Sequence, residues 1–173
     1  LGNDTAVCAG ELIELNAEGV GLNYTWNTGG EASTIMILNE GVYVVEVVDE
    51  NGCVAVDSFK LVVNEIPFVS IGNDTSICEG DSVFLFTNNS ALNHFWNTEE
   101  KTSTITAFSS GTYSVLVSDS NGCSSFDSLT LLVTNLPIVD LGNDTAVCAG
   151  ELIELNADGV GLNYTWNTGG EAS

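Results

Sequence analysis

Five cysteines recur at fixed intervals along this chain of 173 residues, and they are the side chains best suited to covalent bonding. They are Cys8, Cys53, Cys78, Cys123 and Cys148. The first, third and fifth occupy equivalent places in repeated phrases, whereas the second and fourth each directly follow an Asn-Gly pair. Two cysteines per unit can form disulfides, whereas a structural zinc site needs four soft ligands. The spacing therefore predicts disulfides in an exported protein.

Acidic residues near the ends of the units are candidate calcium ligands, and calcium is the one cofactor we consider. They are Asp4, Asp74, Asp144, Asp49, Asp119 and Asp140. Calcium takes six to eight oxygen ligands and favours clustered Asp and Asn, although no full EF-hand loop is present. The alternative is that Asn and Asp in the phrase LGND form local side-chain turns.

No set of residues suited to catalysis recurs from unit to unit. His94 is the sole histidine, and the corresponding positions of the other units carry Tyr24 and Tyr164. A catalytic base needs a positioned nucleophile or proton donor beside it, and none repeats here. We therefore expect a protein that is not an enzyme.

The charge of the chain excludes several kinds of partner. Asp and Glu number 24 against 2 Lys and Arg, which gives a formal net charge of −22. Such a surface repels nucleic acid and anionic membranes. No apolar run approaches the roughly 18 residues of a membrane span, so we expect no membrane insertion in this segment. At the same time, 44% of residues are hydrophobic, which indicates a folded protein rather than an acidic disordered tail.

The candidate residues must be positioned by short β-strands, because no stretch has helical periodicity. Segments rich in β-branched and aromatic residues are DTAVC (4–8), LIELNA (12–17), LNYTWN (22–27), STIMIL (33–38), VYVVEVV (42–48) and VDSFKLVV (56–63). Breaks such as DENG separate them, and Asn-Gly favours a hairpin turn. Six or seven such strands in each unit predict an all-β, two-sheet sandwich. We expect its core to include Trp26, Trp96, Trp166, Tyr43 and Tyr113.

The whole chain is an internal repeat. LGNDTAVCAG stands at 1–10 and again at 141–150, and IGNDTSICEG stands at 71–80. This predicts units at 1–70 and 71–140, followed by the N-terminal part of a third at 141–173. The third unit repeats residues 1–33 with one change and stops before its second half, so we expect a segment of a longer array.

Pro67 and Pro137 stiffen the linkers, which predicts an extended rod. The second unit has NTEEK (97–101) where the first has NTGGE, which predicts a loop of different shape.

These motifs carry a resemblance to a known family. The pattern LGNDT-x-x-C-x-G, a Trp followed by NT, and G-x-Y-x-V-x-V-x-D-x-NGC resembles tandem Ig-like or PKD-like repeats. Such repeats occur in giant cell-surface adhesins of Bacteroidota, which the type IX secretion system exports. The resemblance implies a shaft of an extracellular, cell-surface-attached filament that gives reach for attachment or gliding. Its partners would be neighbouring repeats and laterally associated copies in fibres, and the surface ligand is not implied. The alternative is a carbohydrate-binding stalk of a lectin or enzyme.

Two disulfide pairings are open within this Ig-like architecture. In such a sandwich Cys8 lies at the turn after the first strand, whereas Cys53 follows the last hairpin at the opposite end. Stacking the units head to tail brings Cys8 towards Cys123 of the next unit, and this geometry favours a bond across the junction. The simpler convention is a bond within one unit, from Cys8 to Cys53.

Several motifs match sites of glycosylation. NDT, NYT and NNS fit the N-linked acceptor pattern, which also occurs often by chance. DTA, DSV and DSL look like the O-glycan acceptor motif of Bacteroidota. The resemblance therefore implies that Thr5, Ser82, Ser128 and Thr145 carry sugar.

Overall fold

The computed structural model describes residues 1–19, 22–90, 92–157 and 163–167, which form twelve strands. The first six are β1 Thr5–Cys8, β2 Ile13–Asn16, β3 Asn23–Trp26, β4 Thr34–Ile37, β5 Gly41–Val48 and β6 Val54–Asn64. The second six are β7 Thr75–Cys78, β8 Val83–Phe86, β9 Asn93–Trp96, β10 Thr104–Ala107, β11 Gly111–Ser118 and β12 Ser124–Thr134. The second set repeats the first with the spacing of the sequence repeat.

Each set of six strands forms two sheets. The larger sheet has the order β1-β6-β5-β3 in the first unit and β7-β12-β11-β9 in the second. The smaller sheets pair β2 with β4 and β8 with β10. Only β1–β6 and β7–β12 are parallel, and the other described pairs are antiparallel. Each unit has its own hydrophobic core between its sheets. The protein is therefore all-β, with two Ig-like sandwiches in tandem.

The two tryptophans of these sandwiches lie at the centres of the cores. On β3 the side chains alternate, so that Trp26 points inward and is 2% exposed, and Trp96 on β9 is 0% exposed. Each indole N–H donates a hydrogen bond of 2.8 Å to a backbone carbonyl, from Trp26 to Ala32 and from Trp96 to Thr102. These bonds satisfy the one polar atom that each large side chain buries.

Tyr43 and Tyr113 each pack against a core and also hydrogen-bond to the turn that precedes their strand. Both pack against their cores and are half-buried. The Tyr43 hydroxyl donates to the Asn39 carbonyl at 2.7 Å, and that of Tyr113 donates to the Ser109 carbonyl at 3.0 Å. Each bond ties the start of a long strand to the turn four residues before it, as in the tyrosine corner of Ig-like domains.

The first three strands of a unit pair only with its last three. β1 pairs with β6, β2 with β4, and β3 with β5. Residues 141–173 repeat the sequence of the first three strands alone, and their described parts (141–157 and 163–167) form no strand. Trp166 is half-buried and belongs to neither core. A core role for Trp166 in a complete third unit therefore stays a prediction.

The NTEEK loop keeps the shape of its glycine-containing counterpart. Glu99 has a φ of 73°, in the left-handed region, where Gly29 of the first unit has 88°. The N–H of Glu99 donates to the carbonyl of Trp96 at 2.9 Å, and Gly29 makes the same bond to Trp26. The prediction of a different loop shape is therefore wrong, because the flanking strands impose the same turn on a less suitable residue.

Candidate functional site: the junction between the sandwiches

Each long hairpin presents a cysteine from a turn that an aspartate organises. Asp119 Oδ1 accepts the backbone N–H groups of Asn121 and Cys123, both at 2.9 Å. Gly122 has a φ of 86°, which a residue without a side chain adopts readily. Asp49 makes the same two kinds of bond in the first unit. The DENG and DSNG motifs thus fix where the following cysteine lies.

A disulfide joins the two sandwiches. Cys8, the last residue of β1, is bonded to Cys123, which directly precedes β12, with a Cα–Cα distance of 5.5 Å. The bonded cysteines are 115 residues apart in sequence. Of the two pairings left open above, the structure contains the bond across the junction. Cys53, Cys78 and Cys148 are free and exposed.

The linker contributes its own contacts to the junction. Val69 and Ile71 are each 8% exposed and belong to the core of the second sandwich. The Ile71 N–H donates to Asp127 Oδ2 at 2.8 Å, and the Ser125 hydroxyl donates to the carbonyl of Pro67. The linker is therefore packed along the second unit. Sequence reasoning missed these contacts, although the recurrence of an Asp at 57 and 127 was a usable signal.

The aspartates of the LGND phrases form hydrogen bonds across each unit. Asp4 Oδ1 accepts the N–H of Lys60 at 2.9 Å, and Asp74 Oδ1 accepts that of Thr130 at 2.7 Å, each bond joining residues 56 apart. Asp140 instead accepts a backbone N–H two residues along the chain. Asp140 precedes the third LGND phrase and forms a local turn, whereas Asp4 and Asp74 of the first two phrases anchor the chain before β1 and β7 to the last strand of the unit.

The predicted calcium ligands do not converge on one another in groups. Among the residues that the structure describes, no three His, Cys, Asp or Glu side chains come together in the way a metal site requires. Calcium also takes backbone and amide oxygens, and calcium binding by these carboxylates stays a prediction.

The four predicted O-glycan acceptors are accessible. Thr5, Ser82, Ser128 and Thr145 are all exposed, with Thr5 opening β1 and Ser128 lying within β12. An exposed hydroxyl is a precondition for modification, and glycosylation at these residues stays a prediction.

His94 has a structural position rather than one open to substrate. It is 6% exposed, and its Nε2 lies 2.7 Å from Thr87 Oγ1 and 3.1 Å from the carbonyl oxygen of Asn89. In the first unit the Tyr24 hydroxyl donates to the carbonyl of Gly19 at 2.8 Å, also five residues upstream. The two side chains therefore hold the same loop in the two units.

The second unit exposes a row of phenylalanines that sequence reasoning missed. Phe84, Phe86 and Phe108 are 67%, 63% and 69% exposed, and the first two lie on the outer face of β8, flanking the buried Leu85. The corresponding residues of the first unit are Glu14, Asn16 and Leu38. The alternation of VFLF on a strand was the available signal, because a half-buried strand with Leu85 inward must place both phenylalanines outward.

No helix among the described residues is long and apolar enough to cross a membrane.

No protein-family model matches the chain, and no curated protein matches it. Among solved structures, it is similar to the insect immune protein hemolin, with 17% identity and a TM-score of 0.44 over 77% of this chain and 45% of that one. It is also similar to an I-band fragment of titin, with 14% identity and a TM-score of 0.39 over 76% of this chain and 63% of that one. A third is murine CEACAM1b, with 16% identity and a TM-score of 0.36 over 75% of this chain and 96% of that one.

The matched region thus spans less than half of the hemolin chain. The Ig-like assignment rests on the strand order and on the two packed sheets of each unit.

Proposed function

We propose that this chain is a repeating shaft segment of a large extracellular filament or adhesin attached to a cell surface. In this proposal the units provide mechanical reach for attachment or gliding and perform no catalysis. The resemblance to Bacteroidota surface adhesins suggests the type IX system as its route of export. Its partners are the neighbouring units of the same chain and, in fibres, the units of other copies.

The observation that carries the proposal is the Cys8–Cys123 disulfide between two successive sandwiches. A covalent bond beside a packed linker limits how far two units can bend or separate, which is useful under tension and irrelevant to a single binding module. The near identity of residues 1–33 and 141–173 gives further support, because a shaft needs like units whereas a specific binding site does not.

The test is to shorten the repeat array in the native protein by one pair of units at a time, the pair at 1–140 being the example in this chain. We expect the filament to shorten in equal steps in electron micrographs. The shortened protein should still bind the surface to which the native filament attaches. Loss of binding to a soluble ligand after deletion of a single pair would contradict the shaft function and place recognition in these units.

A second candidate function is carbohydrate binding by the second unit, and the exposed row of Phe84, Phe86 and Phe108 favours it. Aromatic faces stack on the apolar faces of sugars, and an exposed flat sheet can present several of them in line. The buried Trp26 and Trp96 argue against it, because they are not accessible to a ligand.

This alternative is tested with the double variant Phe84→Ala, Phe86→Ala in affinity electrophoresis through gels that contain soluble polysaccharides. Phe95→Ala is the matched control, since Phe95 is 53% exposed on the other sheet of the same unit. If the second unit binds sugar, the native chain is retarded and only the double variant migrates freely. Equal mobility of all three chains would remove this candidate.

A further inference from the structure

The second sandwich carries a stripe of large apolar side chains on the outer face of its four-stranded sheet. Leu116 on β11 lies directly opposite Phe95 on β9 and directly opposite Phe126 on β12. Leu116 stands between the buried Val115 and Val117, so it points away from the core. Phe95, Leu116 and Phe126 are 53%, 45% and 63% exposed. Because side chains directly opposite each other lie about 5 Å apart, these three form one continuous apolar stripe, and exposed patches of this kind mark interaction sites.

Uncharged polar residues flank the apolar stripe on both sides. On one side Ser118 is paired with Asn93 and with Ser124, and on the other Ser114 is paired with Ser128. Hydroxyl and amide groups both donate and accept hydrogen bonds, so two surfaces of this composition can satisfy each other. An apolar centre with a polar rim is also the usual composition of a protein–protein interface.

This face carries no charge, although the chain as a whole is strongly acidic. The described strands β7 to β12 contain one carboxylate, Asp127, and one histidine, His94. Asp127 lies on the opposite face of β12 from Phe126, where it accepts the Ile71 N–H, and His94 is 6% exposed. Two copies that each carry a net charge of −22 repel each other wherever carboxylates meet. This face therefore lets two copies approach, whereas a basic partner would be drawn to the acidic loops.

Adjacent units of the same chain leave the face open. The stripe is exposed on the second unit, which the first unit precedes. The corresponding residues of the first unit, which the second unit follows, are Thr25, Glu46 and Val56. All three are exposed, Val56 by 62%. Neither a preceding nor a following unit therefore covers this face.

We propose that the apolar stripe is the contact between two copies of this chain, which pack through the same face of their second sandwiches. Packed sheets lie about 10 Å apart with their strands nearly aligned, so the side chains of the two stripes interdigitate. A surface that binds its own copy does so about a two-fold axis. The inference names the surface through which copies meet in the proposed fibres, and it rests on the proposed function only for that role.

The size of the face predicts a weak dimer. Strands about 4.8 Å apart, with a rise of about 3.3 Å per residue along β11, give β9, β11 and β12 a face of roughly 15 by 25 Å. Two such faces bury on the order of 1,000 Å², at the lower end for specific interfaces, so we expect dissociation constants of roughly 10–100 μM. The opposite sheet has only two strands and offers less area. In a fibre, repeated units would add many such contacts.

The experiment measures association of the full chain by sedimentation velocity, from about 10 μM to about 1 mM protein and at about 0.15 and 0.5 M salt. Every chain carries Cys53→Ser, Cys78→Ser and Cys148→Ser, so that no disulfide joins two copies. The chain is produced without glycosylation, because Ser128 lies on this face and a glycan there would exclude the contact. We expect a reversible monomer–dimer equilibrium that strengthens with salt, since salt screens the net charge and leaves the apolar contact intact.

Two substitutions taken from the first unit separate the stripe from the rest of the surface. Leu116→Glu introduces the residue that the first unit has as Glu46, and Phe84→Glu introduces the one that it has as Glu14. Both add one negative charge at an exposed apolar position, on different sheets of the second sandwich. Leu116→Glu should weaken the dimer about tenfold or more, because carboxylates then face each other in an apolar contact, and Phe84→Glu should leave it unchanged. The first sandwich folds with Glu at both positions, and equal melting temperatures check that the variants fold.

A third variant tests whether the same face lies on both sides of the contact. Leu116→Lys alone should also dimerise weakly, whereas its mixture with Leu116→Glu should associate more tightly than either variant alone, because opposite charges then meet at the centre of the stripe. A mixture no tighter than its components, equal weakening by Leu116→Glu and Phe84→Glu, or a native chain that stays monomeric up to about 1 mM would each overturn the proposal. These results concern the isolated chain, so a failure here is distinct from a failure of the filament-shortening experiment.

Discussion

Buried polar atoms limit which residues can replace one another between the two units. Tyr24 and His94 differ in size and chemistry, yet each hydrogen-bonds a loop carbonyl five residues upstream. An unpaired buried polar group costs stability, so the exchange is tolerated because the bond is kept. The sequence predicted burial of Trp26 and Trp96 from their place on a strand. It did not predict the carbonyls that their indoles reach, because tertiary packing sets the loop positions.

The first prediction concerns the buried indole of Trp96. Trp96→Phe should destabilise the second sandwich by about 1–3 kcal/mol, since it loses volume and leaves the Thr102 carbonyl without its donor. Phe95→Leu, on the same strand but facing solvent, should change stability by less than about 0.5 kcal/mol. Urea unfolding followed by circular dichroism measures both, because that signal does not depend on the tryptophan that is replaced. Equal effects of the two substitutions would contradict the assigned core.

The second prediction separates the hydrogen bond of Asp74 from calcium binding. Asp74→Ala should lower the melting temperature in the presence of a chelator, because Thr130 loses its acceptor, and Asp74→Asn should retain most of the stability through its amide oxygen. Calcium binding at this residue would add a calcium-dependent stabilisation of the native chain that both variants lack. Calorimetric scans with calcium and with chelator distinguish the two. If Asp74→Ala melts like the native chain in chelator, the anchoring role is wrong.

The third prediction concerns pH. The pKa of Asp49 lies below its ordinary value, chiefly because the Cys53 N–H donates to it, with a further contribution from Asn51. A carboxyl with a lowered folded-state pKa contributes stability that is present above its unfolded-state pKa and is lost as the pH falls through the folded-state value. Below about pH 4 the melting temperature should therefore fall less steeply in Asp49→Asn than in the native chain. Parallel curves for the two proteins would contradict this role.

At the scale of elements, the strands could be predicted from the sequence because two signals agree on their bounds. Polar and apolar residues alternate within each strand, and turn-forming residues separate the strands. Predicted segments at 12–17, 22–27, 33–38 and 42–48 cover β2 to β4 and nearly all of β5. The parallel pairing of β1 with β6 was not readable, because a strand as short as β1 gives no signal for its partner. The shape of the NTEEK loop was misread for a related reason, since the strands on either side imposed a turn that Glu99 does not favour.

The fourth prediction follows from that loop. Glu99→Gly should stabilise the second sandwich by about 1 kcal/mol, because a left-handed φ costs a residue with a side chain more than it costs glycine. Glu100→Gly is the control, since Glu100 has no such φ and an added glycine there should be neutral or destabilising. Chemical denaturation of both variants measures the difference. A loss of stability in Glu99→Gly would show that the turn is not strained.

At the scale of the whole molecule, the repeat and the two possible disulfide pairings were readable from the sequence, and head-to-tail stacking favoured the Cys8–Cys123 bond without excluding the other pairing. The choice between the pairings depends on where Cys8 and Cys123 lie after the linker has packed, which no local pattern encodes. Val69 and Ile71 read as ordinary apolar linker residues, and only the fold reveals that they enter the core of the second unit. The disulfide and this linker together support the central claim that successive units form a stiff, extended shaft.

Small-angle X-ray scattering of the oxidised chain tests that claim most directly. A compact globule of this length would have a radius of gyration of about 16 Å. If each sandwich advances the rod by roughly 30–40 Å, the measured value should lie above about 20 Å, with the distance distribution of an elongated particle. Opening the Cys8–Cys123 bond by mild reduction should broaden that distribution. A radius near the compact-globule value, unchanged by reduction, would mean that the sandwiches fold against each other and would contradict the shaft.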